Sequence, residues 1–526
     1  MSARWILPAV AGFVLAVAAG AQTLYPSQPD WISADTQVST GGALVDLNLD
    51  GWLDFVVANG NDMAQQRIAV YYNRGDGTFP TLPNWQSADQ VYNGHLAVAD
   101  VNGDGWADIA VATLGEFSTS GPVARVYLNN GGTLSSLPDW SANVIGNAFG
   151  VAFGDMNNDG RPDLAVATGW AYSPPKHYRN YVYLNVGGAL GAAPAWQSDD
   201  QYDHQGACWV DADGDGWLDL AFATQGTASR LYHNLGGTLE TTASWRVMDV
   251  SSQDAIMVTA GDVTGDGLPD LLMADNNQLG GSGRFRQYSG QPAALFQTTA
   301  SWTFNEGYCS AVALADVDCD GELDLATGGW WDYTRIFLNT GTGFGSSDGW
   351  RSGRTSVIEK IAFGDIDRNG LRPVTTRLTP GVARQRLFHL PYQPFQRLVA
   401  VVADGVPLLP SQYAADHEHG WITVGVDVAV ELQIDYTVSS KLDMAITNWD
   451  NDVGNFVYYN RKIVRGDVNC DGKVDFGDIN PFVALLTGGY PQKFPECDGQ
   501  TFGDINGDGR VDFGDINPFV SLLTNP

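Results

Sequence analysis

Apolar runs of four to six residues, each bounded by Gly, Asn or Asp, recur along this chain with a period near 50 residues. The first run of each period is built from small residues, as in Leu96-Ala-Val-Ala99 and Val151-Ala-Phe-Gly154. A second follows an acidic stretch, as in Asp108-Ile-Ala-Val-Ala112, Asp163-Leu-Ala-Val-Ala167 and Asp219-Leu-Ala-Phe-Ala223. A third alternates and ends in Asn before a Gly-rich turn: Val126-Tyr-Leu-Asn129, Val182-Tyr-Leu-Asn185, Ile336-Phe-Leu-Asn339. A Trp marks a short fourth segment, at Trp31, Trp85, Trp140, Trp196, Trp245, Trp302 and Trp350. Runs this short, with turn residues at both ends, predict strands. The period predicts a mainly β fold, a seven-bladed β-propeller with the small-residue strand innermost. Leu24 to Trp31 reads as a fourth strand lacking its own first three, so it is expected to complete the last blade and remove a sheet edge.

Between the first and second strands the chain spells Asp-x-Asp/Asn-x-Asp-Gly-x-x-Asp, at spacings of 54, 55, 56, 51, 54 and 49 residues. The first copy offers Asp46, Asn48, Asp50 and Asp54, with Gly51 at the bend. The next offer Asp100, Asn102, Asp104 and Asp108; Asp155, Asn157, Asp159 and Asp163; and Asp211, Asp213, Asp215 and Asp219. Asp262, Asp266 and Asp270 follow, with Thr264 at the third position, then Asp316, Asp318, Asp320 and Asp324. Oxygens at alternate positions of a tight turn suit a hard cation such as Ca²⁺. Without one, the carboxylates repel each other. A metal repeated in every blade is expected to staple its hairpin. A catalytic metal would stand out as one odd site with His or an open position, and no loop reads that way.

The seventh copy starts with Asp365, Asp367 and Asn369 but has Pro373 where the others have Asp. The missing strands resume at Asp443-Met-Ala-Ile-Thr447 and Val457-Tyr-Tyr-Asn460. Residues 372–441 are therefore expected to be a β-rich, sandwich-like insertion in the last blade, with Asp443 the substitute for the lost ligand. At the C-terminus, Asp467, Asn469, Asp471, Asp475 and Asp478 fall at positions one, three, five, nine and twelve of an EF-hand loop. Asp504, Asn506, Asp508, Asp512 and Asp515 repeat the pattern. After each loop an apolar stripe, Ile479, Phe482, Val483 and Leu486 or Ile516, Phe519, Val520 and Leu523, predicts a helix.

Charge sharpens the metal reading. The loop Asp residues make up half of the 60 acids, and the net charge of −32 excludes binding nucleic acid through its phosphates. The N-terminus reads as an export signal cleaved after Ala21: Arg4, an apolar stretch Ile6 to Ala18, then Ala19-Gly20-Ala21. A secreted chain with no membrane span in its mature form follows. In an oxidising compartment Cys470 and Cys497 can pair; Cys208, Cys309 and Cys319 leave at least one free thiol.

The loops resemble the calcium loops of FG-GAP (VCBS-type) repeats, as in the integrin α propeller, over residues 24 to 460 apart from the insertion. The C-terminal duplication resembles a type I dockerin, although Phe476-Gly477 and Phe513-Gly514 replace the hydroxyl residues common there. The resemblances imply a propeller over 22–371 and 442–463 and a dockerin-like module over 464–526. They also imply a cohesin-like partner for that module.

No Gly-x-Ser-x-Gly elbow or phosphate loop occurs. His417-Glu418-His419 reads as a loop of the insertion, and His95, His177, His204 and His233 fall near blade strands without a nucleophile pattern. Trp52, Trp106 and Trp217 are expected at exposed loop tips, and Trp170, Trp330, Trp331 and Trp449 on blade connections. Such aromatics stack on sugars, grip a protein, or pack between blades. The expectation is a non-enzymatic secreted binder of a glycan or protein, tethered to a scaffold or surface. The alternative is an extracellular carbohydrate-active enzyme of polysaccharide degradation.

Overall fold

The computed structural model describes residues 24–118, 121–169, 178–250, 252–292, 294–450, 452–461, 465–469, 474–490, 499–506 and 510–524. The export segment 1–21, Trp170, His177, Asp471, Asp508, Cys470 and Cys497 lie outside them.

In the first repeat Ser39–Val45, Asp54–Asn59, Ala69–Tyr71 and Trp85–Gln86 pair antiparallel in chain order. The next two repeats, opening with Asn93–Ala99 and Ala148–Gly154, form the same four-stranded sheet. The later repeats depart from the expectation of separate sheets. The fourth and fifth are continuous, because Gln225 and Thr227 at the end of Asp219–Thr227 pair with Asp254 and Gln253. The sixth and seventh share one six-stranded sheet, in which Asp324–Phe337 serves as both second and third strand. No Gly-rich or Pro break interrupts the second half of that run; the chain turns through a bulge at Trp331, whose φ is 58°.

The N-terminal strand behaves as its sequence suggests: Trp31 and Ile32 pair with Val457 and Phe456. Tyr25 Oη donates to the Leu442 carbonyl at 2.6 Å, and Trp350 Nε1 donates to the Tyr25 carbonyl at 2.8 Å. The core lies between successive repeats, where one repeat's fourth-segment Trp meets the next repeat's third-strand aromatic edge to face. Trp31 does so with Tyr71, Trp140 with Tyr183, Trp196 with Tyr232 and Trp245 with Tyr288, at centroid distances of 5.3, 4.9, 5.2 and 5.7 Å. The first strand of each of the seven repeats carries a register irregularity near its start, and the residue skipped in the seventh is Glu359.

The insertion forms two sheets. Leu371–Leu378, Leu432–Ser439, Arg397–Ala403 and Val406–Pro407 make one, and Gln385–His389, Trp421–Val428 and Tyr413–Asp416 the other. They share a core that includes Phe388, Val401, Ile422, Ile434 and Tyr436. Its ends lie side by side, Leu371 opposite Ser439, so the chain leaves and re-enters the seventh repeat at one place.

In the C-terminal module, helices Ile479–Thr487 and Ile516–Thr524 follow the two loops, and Gly499–Gly503 forms one further helical turn before the second. Phe482 and Phe519 meet at 4.4 Å between ring centroids. The apolar stripes do not bury whole: Val483 and Val520 are half exposed, while Phe476 and Phe513 stand 74% and 80% exposed. Among the described residues no helix is long and apolar enough to cross a membrane.

Candidate metal centres

Each acidic loop is shaped by its own carboxylates. The Asp at position one accepts from the backbone N–H of the loop Gly: Gly51 to Asp46, Gly105 to Asp100, Gly160 to Asp155, Gly216 to Asp211, Gly267 to Asp262, Gly321 to Asp316 and Gly370 to Asp365, at 2.7–3.0 Å. The Asp at position five accepts from the N–H two residues on, as Trp52 gives to Asp50 at 2.9 Å. Asn48, Asn102 and Asn157 accept from the N–H of Asp50, Asp104 and Asp159, which turns the third position inward.

Position nine has a role the spacing alone did not reveal. Both oxygens of Asp54 accept backbone hydrogen bonds, from Leu47 at 3.1 Å and Asn73 at 2.9 Å. Asp108, Asp163, Asp219, Asp270 and Asp324 make the same pair of contacts in their repeats. In the seventh repeat Asp443 makes them, to Ile366 and Asn460, both at 2.8 Å. Asp443 thus stands where Pro373 cannot, across the whole insertion. The third-strand Asn then reaches the preceding repeat. Asn129 Nδ2 donates to the Leu47 carbonyl, Asn185 to Val101, Asn234 to Met156, Asn339 to Val263, Asn460 to Val317, and Asn73 back to Ile366 of the seventh repeat.

In the fourth, sixth and seventh loops one oxygen from each of three carboxylates lies within 4.8 Å of the others: Asp211, Asp213 and Asp215; Asp316, Asp318 and Asp320; Asp365, Asp367 and Asp443. Burial, reinforced by the neighbouring carboxylates, pushes Asp54, Asp108, Asp211, Asp219 and Asp365 up to about 7 and Asp324 to about 8. Asp155, Asp270 and Asp316 rise to about 6 for the same reason. Such a nest favours protons or a cation. The donors are all oxygen and suit a hard cation. Asp46 Oδ1 and Thr264 Oγ1, at predicted ligand positions, are buried with no hydrogen-bond partner in the protein. A cation here would neutralise the nest and fix the hairpin.

One loop corrects the expectation that none includes His. His233 Nδ1 lies 3.0 Å from Asp219 Oδ1 and 3.8 Å from Asp213 Oδ2. It occupies the slot that Leu128, Leu184 and Leu338 fill in other repeats. In the C-terminal loops the twelfth-position carboxylates are buried: Asp478 accepts from Asn469 and Asp475, and Asp515 from Asn506 and Asp512.

The insertion sits on the acidic loops, a placement the sequence did not disclose. Thr423 Oγ1 donates to Asp155 Oδ2 at 2.7 Å, Ser439 Oγ to Asp365 Oδ2 at 2.8 Å, and Arg386 to the Asn158 carbonyl at 3.0 Å. Trp52, Trp106 and Trp217 are half-buried and not the exposed tips expected. Trp106 and Trp217 lie over Gly132 and Gly237, and a Cβ added to Gly132 would come within 2.9 Å of the Trp106 ring.

At the opposite end of the strands, the junction of the sixth and seventh repeats gathers aromatics. Trp330 stacks on Trp449 at 5.8 Å and 18°, and its Nε1 donates to Glu359 Oε1 at 2.7 Å. Trp331, 52% exposed, stands edge-on to Trp330 and Tyr308. Trp449 Nε1 is buried and without a partner. Burial raises the Glu359 carboxyl to about 8, with Asp62 adding to the shift.

These features define a mainly β repeat protein in which every repeat carries an acidic hairpin loop closed by a backbone-bound Asp. Family profiles agree. An FG-GAP-like repeat matches residues 46–111, 116–166, 211–273 and 262–327, and an FG-GAP repeat matches 92–133. The chain is 28% identical to human integrin alpha-7 over 210 residues, 35% of this chain and 17% of that one. It is 37% identical to chicken (Gallus gallus) integrin alpha-6 over 78 residues, 14% of this chain and 7% of that one. It is 33% identical to rat phosphatidylinositol-glycan-specific phospholipase D over 152 residues, 24% of this chain and 18% of that one. A solved structure of Saccharomyces cerevisiae Sqt1 overlays 83% of this chain and all of its own, at 8% identity and a TM-score of 0.43. The chain spans less than a fifth of the length of these curated relatives. It carries FG-GAP repeats and is integrin α-like over part of its length.

Proposed function

We propose that this chain is a secreted, calcium-stabilised propeller of seven blades that recognises a glycan and is tethered by its C-terminal module. The aromatic junction carries the reading. A bulge turns Trp331 outward in a left-handed conformation that a bulky residue rarely adopts, and strain of this kind gathers at binding sites. Beside it stand the stacked Trp330 and Trp449, the latter's unpartnered N–H, and the Glu359 carboxyl. The positive C–H face of a sugar ring packs on such π faces while its hydroxyls take the polar groups. FG-GAP repeats and integrin α similarity suggest adhesion or recognition in the same sense.

A closed ring is supported by the Asn cross-links, which join six of the seven neighbouring pairs of repeats, the fourth and fifth excepted, and return from Asn73 to Ile366. Calcium is supported by the all-oxygen donor sets. The tether is supported by two equivalent exposed pairs, Phe476 with Val483 and Phe513 with Val520, which suit a cohesin-like domain in either of two orientations. The enzyme alternative would draw on the acids at the centre of the ring. Asp416 and Glu418 are both committed to ion pairs there, with His419 and Lys360, and so are not free for glycoside hydrolysis.

The test is a glycan array probed in calcium with residues 22–526 and with its Trp331→Ala variant. Binding that the variant loses at unchanged melting temperature is the expected result. A folded wild type that binds no glycan removes the reading and redirects the search to protein partners.

A further inference from the structure

The insertion's turn Asp416-His417-Glu418-His419 reaches into the space enclosed by the innermost strands, where three repeats hold it. Lys360 Nζ meets Glu418 Oε2 at 2.8 Å, Thr259 Oγ1 lies 3.2 Å from His419 Nε2, and Cys208 Sγ lies 3.6 Å from that same nitrogen. On the other side of the imidazole, Nδ1 is 2.7 Å from Asp416 Oδ2. Asp416 is itself fixed, since Oδ1 accepts from the backbone N–H groups of Glu418 and His419 at 2.9 and 3.1 Å. Sulfur, imidazole and carboxylate therefore stand in the order of nucleophile, base and orienting acid.

Electrostatics reinforce the arrangement. Burial opposes charge on both partners, yet the His419 charge holds Asp416 at about 2, and Asp416 together with Cys208 raises His419. The imidazole nitrogen 3.6 Å from the sulfur is placed to take the thiol proton and hand it to a leaving group. Size then selects the reactant. Cys208 is 1% exposed but lines a cavity of about 120 Å³. That volume holds a few water-sized molecules and no polymer chain.

We propose that Cys208 is a reactive thiol oxidised in place by a small hydroperoxide, with His419 as proton donor and Asp416 as the residue that orients it. The thiolate attacks one peroxide oxygen, an S–O bond forms and the O–O bond breaks. Sulfur is oxidised to the sulfenic acid, the peroxide is reduced, and the leaving oxygen takes its proton from His419 to depart as water or alcohol. The product places an oxygen between Cys208 and His419, one of the contacts between the insertion and the fourth repeat. The proposal is independent of the glycan reading.

The test treats the full calcium-loaded chain with limiting hydrogen peroxide, removes the excess with catalase, then unfolds the protein in urea containing dimedone and maps the trapped sulfenic acid by mass spectrometry. Cys309, a buried thiol that burial pushes up, is the internal reference. Cys208 is expected to be oxidised at least roughly tenfold faster than Cys309, a difference that unfolding in urea before the peroxide is added abolishes. Equal or slower oxidation at Cys208 in the native chain overturns the proposal. His419→Gln is expected to slow Cys208 by a similar factor and leave Cys309 unchanged; a folded variant with an unchanged rate overturns the role of His419. Should that variant not fold, the wild-type comparison decides alone, since it involves no substitution.

Discussion

At the acidic end of the strands, every repeat does the same thing with the same atoms: a ninth-position Asp takes two backbone N–H groups. A first-position Asp takes the loop Gly, and in the fourth, sixth and seventh loops three carboxylates crowd within 4.8 Å of one another. At the far end the repeats diverge. The residue skipped by the inner-strand bulge is Thr40, Phe149, Gln205, Ile256, Ser310 or Glu359, the second repeat skips Gly94 and His95, and the seventh alone puts a carboxyl there, bonded to Trp330 Nε1. Uniform positions hold each repeat together, and positions that differ from repeat to repeat are free to recognise something.

The largest effect expected from this contrast is chelation. A site at a hundredfold excess of free cation over its Kd contributes about 2.7 kcal/mol, and the acidic end offers several candidate sites. EGTA should lower the Tm by more than about 10 °C and open the loops to protease. An unchanged melting curve in EGTA would leave the acidic end without its metal. The aromatic end should keep its fluorescence environment until the whole domain melts.

Next in size is the division of labour within a loop. Asp443→Ala leaves the N–H groups of Ile366 and Asn460 buried and unpaired, at about 1–3 kcal/mol each, with or without calcium. Asp50→Ala loses two exposed loop contacts, from the Trp52 N–H and from Asn48 Nδ2, and should cost about 0.5 kcal/mol or less in EGTA but much more in calcium. Equal costs for the two in EGTA, read from urea denaturation, would show that position nine is only a ligand.

These two predictions also mark what the sequence could disclose. Asp443 was legible because the strand pattern around it repeats, even after the insertion. The double backbone contact of position nine was not, since a spacing cannot show which lone pairs the fold occupies. The half-burial of Trp52, Trp106 and Trp217 was missed because the tips lie against a Gly turn of the same repeat, and only folding brings that turn close. His233 was hidden differently, by occupying a position that reads as apolar elsewhere. The group at the insertion's turn was least legible of all: Cys208 of the fourth repeat and His419 of the insertion lie 211 residues apart, and His419 belongs to no repeat.

A smaller effect separates the two ends by ligand. Trp331→Ala should weaken glycan binding by about 2 kcal/mol or more, roughly 30-fold, while shifting stability by less than about 1 kcal/mol because the lost ring is half exposed and the bulge strain is eased. A comparable loss of Tm would make the ring a structural part of the junction.

The smallest effects are in pH, and their signs set the two ends apart. The loop carboxylates have folded values of about 6–8 against an unfolded value near 3.8, so the cation-free native state holds extra protons between those limits. Their contribution is full below the unfolded value and is lost as pH rises through the folded one. The EGTA-treated protein should therefore melt higher at pH 5.5 than at pH 8. Calcium, which competes with those protons, should bind more tightly at pH 8 and remove or reverse the trend. Glu359, raised to about 8, follows the same sign but has no cation to rescue it. Glu359→Gln, which keeps an oxygen for Trp330 Nε1, should be nearly neutral at pH 7 and flatten the remaining loss of stability above pH 8 in calcium. A variant as pH-sensitive there as wild type would place the residual titration back among the loops.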